Sequence, residues 1–310
     1  MRALFSSIAV GAMLVSSGLQ AAEPPRCAKV VSADMGWTDI ALTSWTAEHL
    51  LGALGYESDA KLLGLEITYQ SLKNGDVDVF LGNWRPAQDI QFAEYYDKDW
   101  VEVLGTNLTG AKYTLAVPDY VAAAGVRSFK DLAAHGPEFG KRIYGIEPGS
   151  NQPLLDMVGQ DMFDLGGWEV VESGEQAMLA QVKRAVQRKE WIVFMGWQPH
   201  PMNMNMKLDY LADGDDVFGA DFGGSTVRTI ARSGFSADCP NLARLFTNLT
   251  FDIAYENVGM GMIIDDGMSP EEAALAMMRR HPEKVAAWLD GVTTRDGASG
   301  IDAVRAKLQD

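Results

Sequence analysis

The stretch "DVDVFLGNWRPAQ" (76–88) is echoed by "EWIVFMGWQPHPM" (190–202). Each holds an apolar run, a Gly, a Trp and then a Pro within two residues of the Trp. A short apolar run bounded by turn residues reads as a buried strand. Pro cannot donate to a sheet ladder, so each strand stops there. A third segment, "VVSADMGWTD" (30–39), brings a Gly-Trp pair to another strand exit. Gly beside the Trp allows a turn or a close backbone approach. In open α/β sheets ligands bind beyond the carboxyl ends of the strands. Trp37, Trp84 and Trp197 therefore form an aromatic cage if their strand exits converge. A lone Trp is more often packing, and Trp45, Trp100, Trp168, Trp191 and Trp288 are read that way.

Working outward from these stretches, strand and helix signals alternate. Segments 28–37, 65–72, 77–84, 111–118, 141–148, 168–173 and 191–197 read as strands. Segments 38–56, 150–163 and 173–190 have helical spacing, and 128–140 reads as a short capped helix. Further helices are expected near 240–257, 269–279 and 281–290. Alternation of this kind predicts an α/β fold with largely parallel sheets. Besides the three Trp, it brings Asp39, Tyr113, Ser150 and Asn151 near strand ends or a helix start.

The chain has 310 residues, 47% hydrophobic and 22% charged, with net charge -16. The length allows one or two domains with a full core. The acidity disfavours nucleic acid and anionic lipid and is compatible with a cationic ligand. Residues 1–22 combine Arg2, an apolar run and small residues up to Ala21 and Ala22, the layout of a cleaved signal peptide. Cys27 and Cys239 are the two cysteines, and an even pair in an exported chain predicts a disulfide.

Enzyme signatures are missing: no Gly-x-Ser-x-Gly, no His-Glu-x-x-His and no phosphate-binding Gly-rich loop. His49, His135, His200 and His281 are scattered and read as surface or packed residues. The acidic run 209–221 lacks calcium-loop spacing. No cofactor or metal is expected.

Together, "MGWTD", "LGNWRPA", "KYTLAVP", "EPGSN" and "GWQPHPMN" resemble the substrate-binding proteins of ABC importers for choline and glycine betaine, with most similarity to the periplasmic choline-binding branch. The resemblance covers about 28–300. It implies a bilobal type II periplasmic binding-protein fold, two α/β lobes joined by two hinge crossovers. One lobe would be 28–112 plus 213–310, the other 113–212. It implies a cage of Trp37, Trp84, Tyr113 and Trp197, with Asp39 and Asn151 at the polar end of the ligand. The Cys27–Cys239 pair fits the same branch. The expected partners are choline or a related quaternary ammonium and an inner-membrane permease, met by a periplasmic monomer that is not an enzyme. Glycine betaine or carnitine binding is the alternative, and partnership with a membrane receptor is one of another class. An enzyme on the same fold, such as a porphyrin-precursor synthase, needs a free Cys.

Overall fold

The computed structural model describes residues 23–309, so the signal peptide expected at 1–22 lies outside the described residues. The chain opens with β1 (Lys29–Asp34), α1 (Thr38–Ala53), β2 (Glu57–Leu62), α2 (Leu65–Asn74) and β3 (Val79–Arg85). β1 pairs in parallel with both β2 and β3. The long β4 (Val101–Pro118) follows, then β5 (Arg142–Tyr144), β6 (Glu169–Val171), β7 (Phe194–Gln198), β8 (Leu208–Tyr210) and β9 (Gly224–Arg232). The strands form one sheet in the order β2-β1-β3-β9-β4-β7-β5-β6, with β8 beside β4.

β4 joins the two ends of this sheet. Its first part lies antiparallel to β9, up to Lys112 opposite Gly224. From Lys112 to Ala116 it lies antiparallel to β7, and from Ala116 to Pro118 it pairs with β8. The outer pairs are parallel, as expected, but every ladder of β4 and β9 is antiparallel, so the sheet is mixed. The central strands connect the two ends and do not belong to βαβ units, which is why parallel pairing is confined to the flanks.

Several elements differ from the sequence reading. Segment 65–72 is helix α2, not a strand. Its buried residues are Leu65, Thr68, Tyr69 and Leu72, one helical face, while Ile67 is exposed. The apparent alternation of Leu65, Ile67 and Tyr69 counted a solvent-facing Ile as core. β2 and β9 are strands that the pattern does not signal. β2 is an exposed edge with a polar sequence, and the alternate buried positions in β9 include Ser225 and Thr229. The expected 240–257 helix is two helices, Pro240–Asn248 and Ile253–Ile264.

α1 is buried over most of its surface, Ile40, Leu42, Leu50 and Leu51 together with Thr43, Ser44 and Thr46. It packs against the helices Ile253–Ile264 and Pro270–Arg280, which cover it on the side away from the sheet. Its amino end is thereby fixed beside the exits of β1 and β3. Cys27 and Cys239 form the disulfide, their Cα atoms 5.7 Å apart, joining the start of β1 to the helix Pro240–Asn248. Glu23 reinforces the junction by accepting bonds from the Asn241 and Leu242 amides at 2.6 and 3.0 Å.

Candidate functional site

Gly36 has φ +77, a left-handed turn that carries the chain from β1 into α1 and places Trp37 at the helix N-cap. Trp84 is the penultimate residue of β3, and Pro86 follows the strand. Trp197 lies opposite Tyr113 in the β4–β7 ladder, so the two side chains share one face of the sheet. Gly82 and Gly196 do not make turns. They lie inside their strands, where a Cβ would meet the Phe80 ring at 2.7 Å and the Ala116 Cβ at 2.9 Å.

These residues converge. Trp37, Asp39, Trp84, Tyr113 and Trp197 line one cavity with about 530 Å³ of empty space, together with Leu65, Gln88, Gln91, Ile146 and Ser150. The Trp84 and Tyr113 ring centroids are 6.3 Å apart and tilted at 51°. All three Trp are under a tenth exposed. The other five Trp do not line the cavity. The lining contains one carboxylate, Asp39, and no Lys, Arg or His. Arg85 sits outside it, paired with Asp89 at the surface.

Asp39 does not cap α1; it lies in the first turn after Thr38. Its carboxylate accepts a bond from Trp84 Nε1 at 3.1 Å, which fixes the indole plane. Burial, and next the nearby Glu175 charge, raise its pKa to about 7. Burial likewise raises Glu147, which accepts a bond from Trp37 Nε1. Glu256, buried behind Asp39, is held well above the usual carboxyl range by burial and then by the Asp39 charge. Burial also pushes the Tyr113 hydroxyl up, so it stays a neutral donor, here to the Ser150 carbonyl at 3.2 Å.

Asn151 is not among the lining residues. Its Oδ1 accepts from the Ile146 amide at 2.8 Å, and its Nδ2 donates to the Ile146 carbonyl at 2.7 Å and to Glu172 at 2.9 Å. It pins the loop ahead of the helix Gln152–Gly159. Ser150, its neighbour, reaches the cavity instead, and its Oγ is buried without a hydrogen-bond partner among the described residues. Gln88, Gln91 and Leu65 are lining residues that sequence reading missed. Gln88 stands in the quoted "NWRPAQ" motif, so proximity to Trp84 was the available signal. Leu65 was hidden by the misread period of α2.

The chain matches, over residues 28–280, the family described as the substrate-binding domain of ABC-type glycine betaine transport systems. It belongs to that family. A solved structure described as an ABC-transporter choline-binding protein in complex with choline is 51% identical, with TM-score 0.91, covering 92% of this chain and 100% of that one. A choline-binding protein in an unliganded semi-closed conformation is also 51% identical, with TM-score 0.84, covering 91% of this chain and 99% of the other. The glycine betaine/carnitine transport binding protein GbuC of Listeria monocytogenes is 32% identical over 54% of this chain and 54% of its own length. The fold is thus the bilobal α/β fold of periplasmic binding proteins. No described helix is long and apolar enough to cross a membrane.

Proposed function

We propose that this chain is the periplasmic substrate-binding component of an ABC importer, a non-enzymatic monomer that captures choline between two lobes and delivers it to an inner-membrane permease. One observation carries the reading: Trp37, Trp84, Tyr113 and Trp197 line a cavity whose one charged lining residue is Asp39. A quaternary ammonium has no N–H to donate, so hydrogen-bonding groups recognise it poorly. Aromatic faces attract it through their quadrupole, by about 0.5–2 kcal/mol per ring. Asp39 adds charge attraction and accepts from the choline hydroxyl. The choline described with the 51% identical structure supports the same ligand.

We assign 28–112 plus 213–310 to one lobe and 113–212 to the other. The first boundary falls where β4 exchanges β9 for β7 at Lys112. The cage then draws Trp37 and Trp84 from one lobe and Tyr113 and Trp197 from the other. Asn151, whose amide is engaged within its own loop, supports the site by holding Ser150 in place.

Glycine betaine is the second reading, favoured by the raised pKa of Asp39. A protonated Asp39 donates a hydrogen bond to a ligand carboxylate, whereas an ionised one repels it. Calorimetric titration of the mature protein with choline, glycine betaine, carnitine and acetylcholine decides between them. Choline is expected to bind most tightly, and Trp84→Ala and Trp197→Ala each to weaken it by about 1–3 kcal/mol. A parent that prefers betaine, or Ala variants that bind choline as the parent does, would overturn the choline reading or the cage.

A further inference from the structure

Glu175 lies outside the cavity lining and is 3% exposed. It starts the helix Glu175–Arg188, between β6 and β7 at one end of the sheet. Its carboxylate nevertheless accepts from the Thr38 amide at 2.9 Å and the Thr38 hydroxyl at 2.5 Å, at the amino end of α1, which follows β1 toward the other end of the sheet. The first amides of a helix lack intrahelical partners. Trp37, the N-cap of α1, has no side chain able to supply one. Glu175 supplies it from elsewhere in the fold, and a carboxylate there also meets the positive end of the helix dipole.

The other partners of Glu175 come from its own part of the chain. The Met202 amide donates to His200 Nδ1 at 3.0 Å, so the proton of His200 sits on Nε2, which points to Glu175 at 3.3 Å. Gln176 Nε2 donates to Glu175 at 3.1 Å. His200 itself is buried and packs edge-on against the Trp197 ring, with centroids 4.9 Å apart. The carboxylate is therefore held in place before Thr38 arrives. If the lobes part, Thr38 is the partner that leaves.

We propose that Glu175 is a closure latch: it caps α1 from the opposing lobe, and so locks Trp37 and Asp39, which flank Thr38, into their ligand-facing positions. The inference rests on the two-lobe choline reading above. Glu175 is a positioning residue, acting through Thr38 and not through the ligand.

The test is stopped-flow choline binding read by Trp fluorescence, with scattering profiles and melting of the ligand-free protein. Glu175→Ala should speed choline dissociation by ~10- to 100-fold, the scale of lost charge-assisted hydrogen bonds, with association changed by less than ~3-fold. Glu175→Gln, which keeps an acceptor for the Thr38 amide, should fall between parent and Ala. Thr38→Val, which keeps the amide and loses the hydroxyl, should give a smaller increase. The ligand-free Tm of Thr38→Val should stay within about 2 °C of the parent, because an open form does not use that contact, whereas Glu175→Ala also leaves the His200 Nε2 proton without its acceptor and should lower it. A Thr38→Val protein whose ligand-free Tm falls by more than about 5 °C shows that the Thr38–Glu175 contact holds the scaffold in the open form too and overturns the latch. Parent-like dissociation in both Glu175→Ala and Thr38→Val also overturns it. A parent that neither binds choline nor becomes more compact with it sinks the underlying reading instead.

Discussion

At Asp39, one carboxyl group serves two purposes whose demands differ with pH. It is 3% exposed, bonded to Trp84, and close to Glu175 and Glu256 with no Lys or Arg in the cavity lining. Burial raises its pKa to about 7. A bound cation favours the ionised form and lowers that value, so binding releases a proton. Choline affinity should therefore be weak below pH 7, rise through about pH 7 and level off above it. Glycine betaine needs the protonated form, so its affinity should fall as pH rises through the same range. Titration of both ligands between pH 5.5 and about pH 8.5, in buffers of different ionisation enthalpy, measures the slopes and the released proton. Parallel slopes for the two ligands, or flat ones, would remove Asp39 from the ligand's polar end. Trp37, Trp84 and Trp197 were legible because strand exits, a Gly and a Trp fall together in the sequence, whereas Tyr113, at a strand start, and Asp39 joined them through the family resemblance. Ser150 and Asn151 were both read at a helix start, and Asn151 by type looked as suited to a ligand as Ser150 does. Which of the two side chains turns inward depends on the loop conformation, and the Ile146 backbone groups claim Asn151.

Strand β7 illustrates how an element delivers a side chain. Tyr113 and Trp197 become neighbours through the β4–β7 register, and a slip of one residue would turn Trp197 to the opposite face. Gly196 lets the strands meet: a Cβ there would lie 2.9 Å from the Ala116 Cβ and 3.0 Å from the Tyr210 ring. Gly196→Ala should cost about 1–3 kcal/mol of stability by overpacking and also weaken choline binding by moving Trp197. Denaturant unfolding and titration of the same preparation check both. A variant with parent stability and affinity would show that β7 has room to spare. The other elements were less evenly readable. α1 follows from its apolar spacing, but α2 shows that a five-residue alternation cannot outweigh a buried i, i+3, i+4, i+7 face when one exposed Ile mimics a strand. β2 carries almost no pattern because an edge strand facing water needs none.

Across the whole molecule, the disulfide and the cleft occupy opposite ends of β1. Cys27 precedes the strand and Trp37 follows it, and six residues of strand span roughly 20 Å. The bridge closes a loop of 212 residues, for which chain entropy sets an upper value of about 5 kcal/mol. Replacing both Cys27 and Cys239 by Ser should cost about 2–4 kcal/mol, since Glu23 still ties the terminus to the helix Pro240–Asn248. Choline affinity should remain within about 2-fold of the parent, because the bridge is remote from the cage. Unfolding curves and titrations of the double variant give both values; a large affinity loss would mean that the bridge sets the cleft geometry.

The chain sequence by itself determined the α/β alternation, the strand-exit aromatics and the pairing of its two cysteines. These are local matters: side-chain period, turn chemistry and residue type act over a few positions. Tertiary structure alone decided that the exits meet, that the central ladders are antiparallel, and that Glu175 caps a helix starting 137 residues earlier. Each depends on which distant backbone groups become neighbours. A buried helix amide or a carboxylate must find a partner wherever packing brings one, and spacing along the chain does not record that choice.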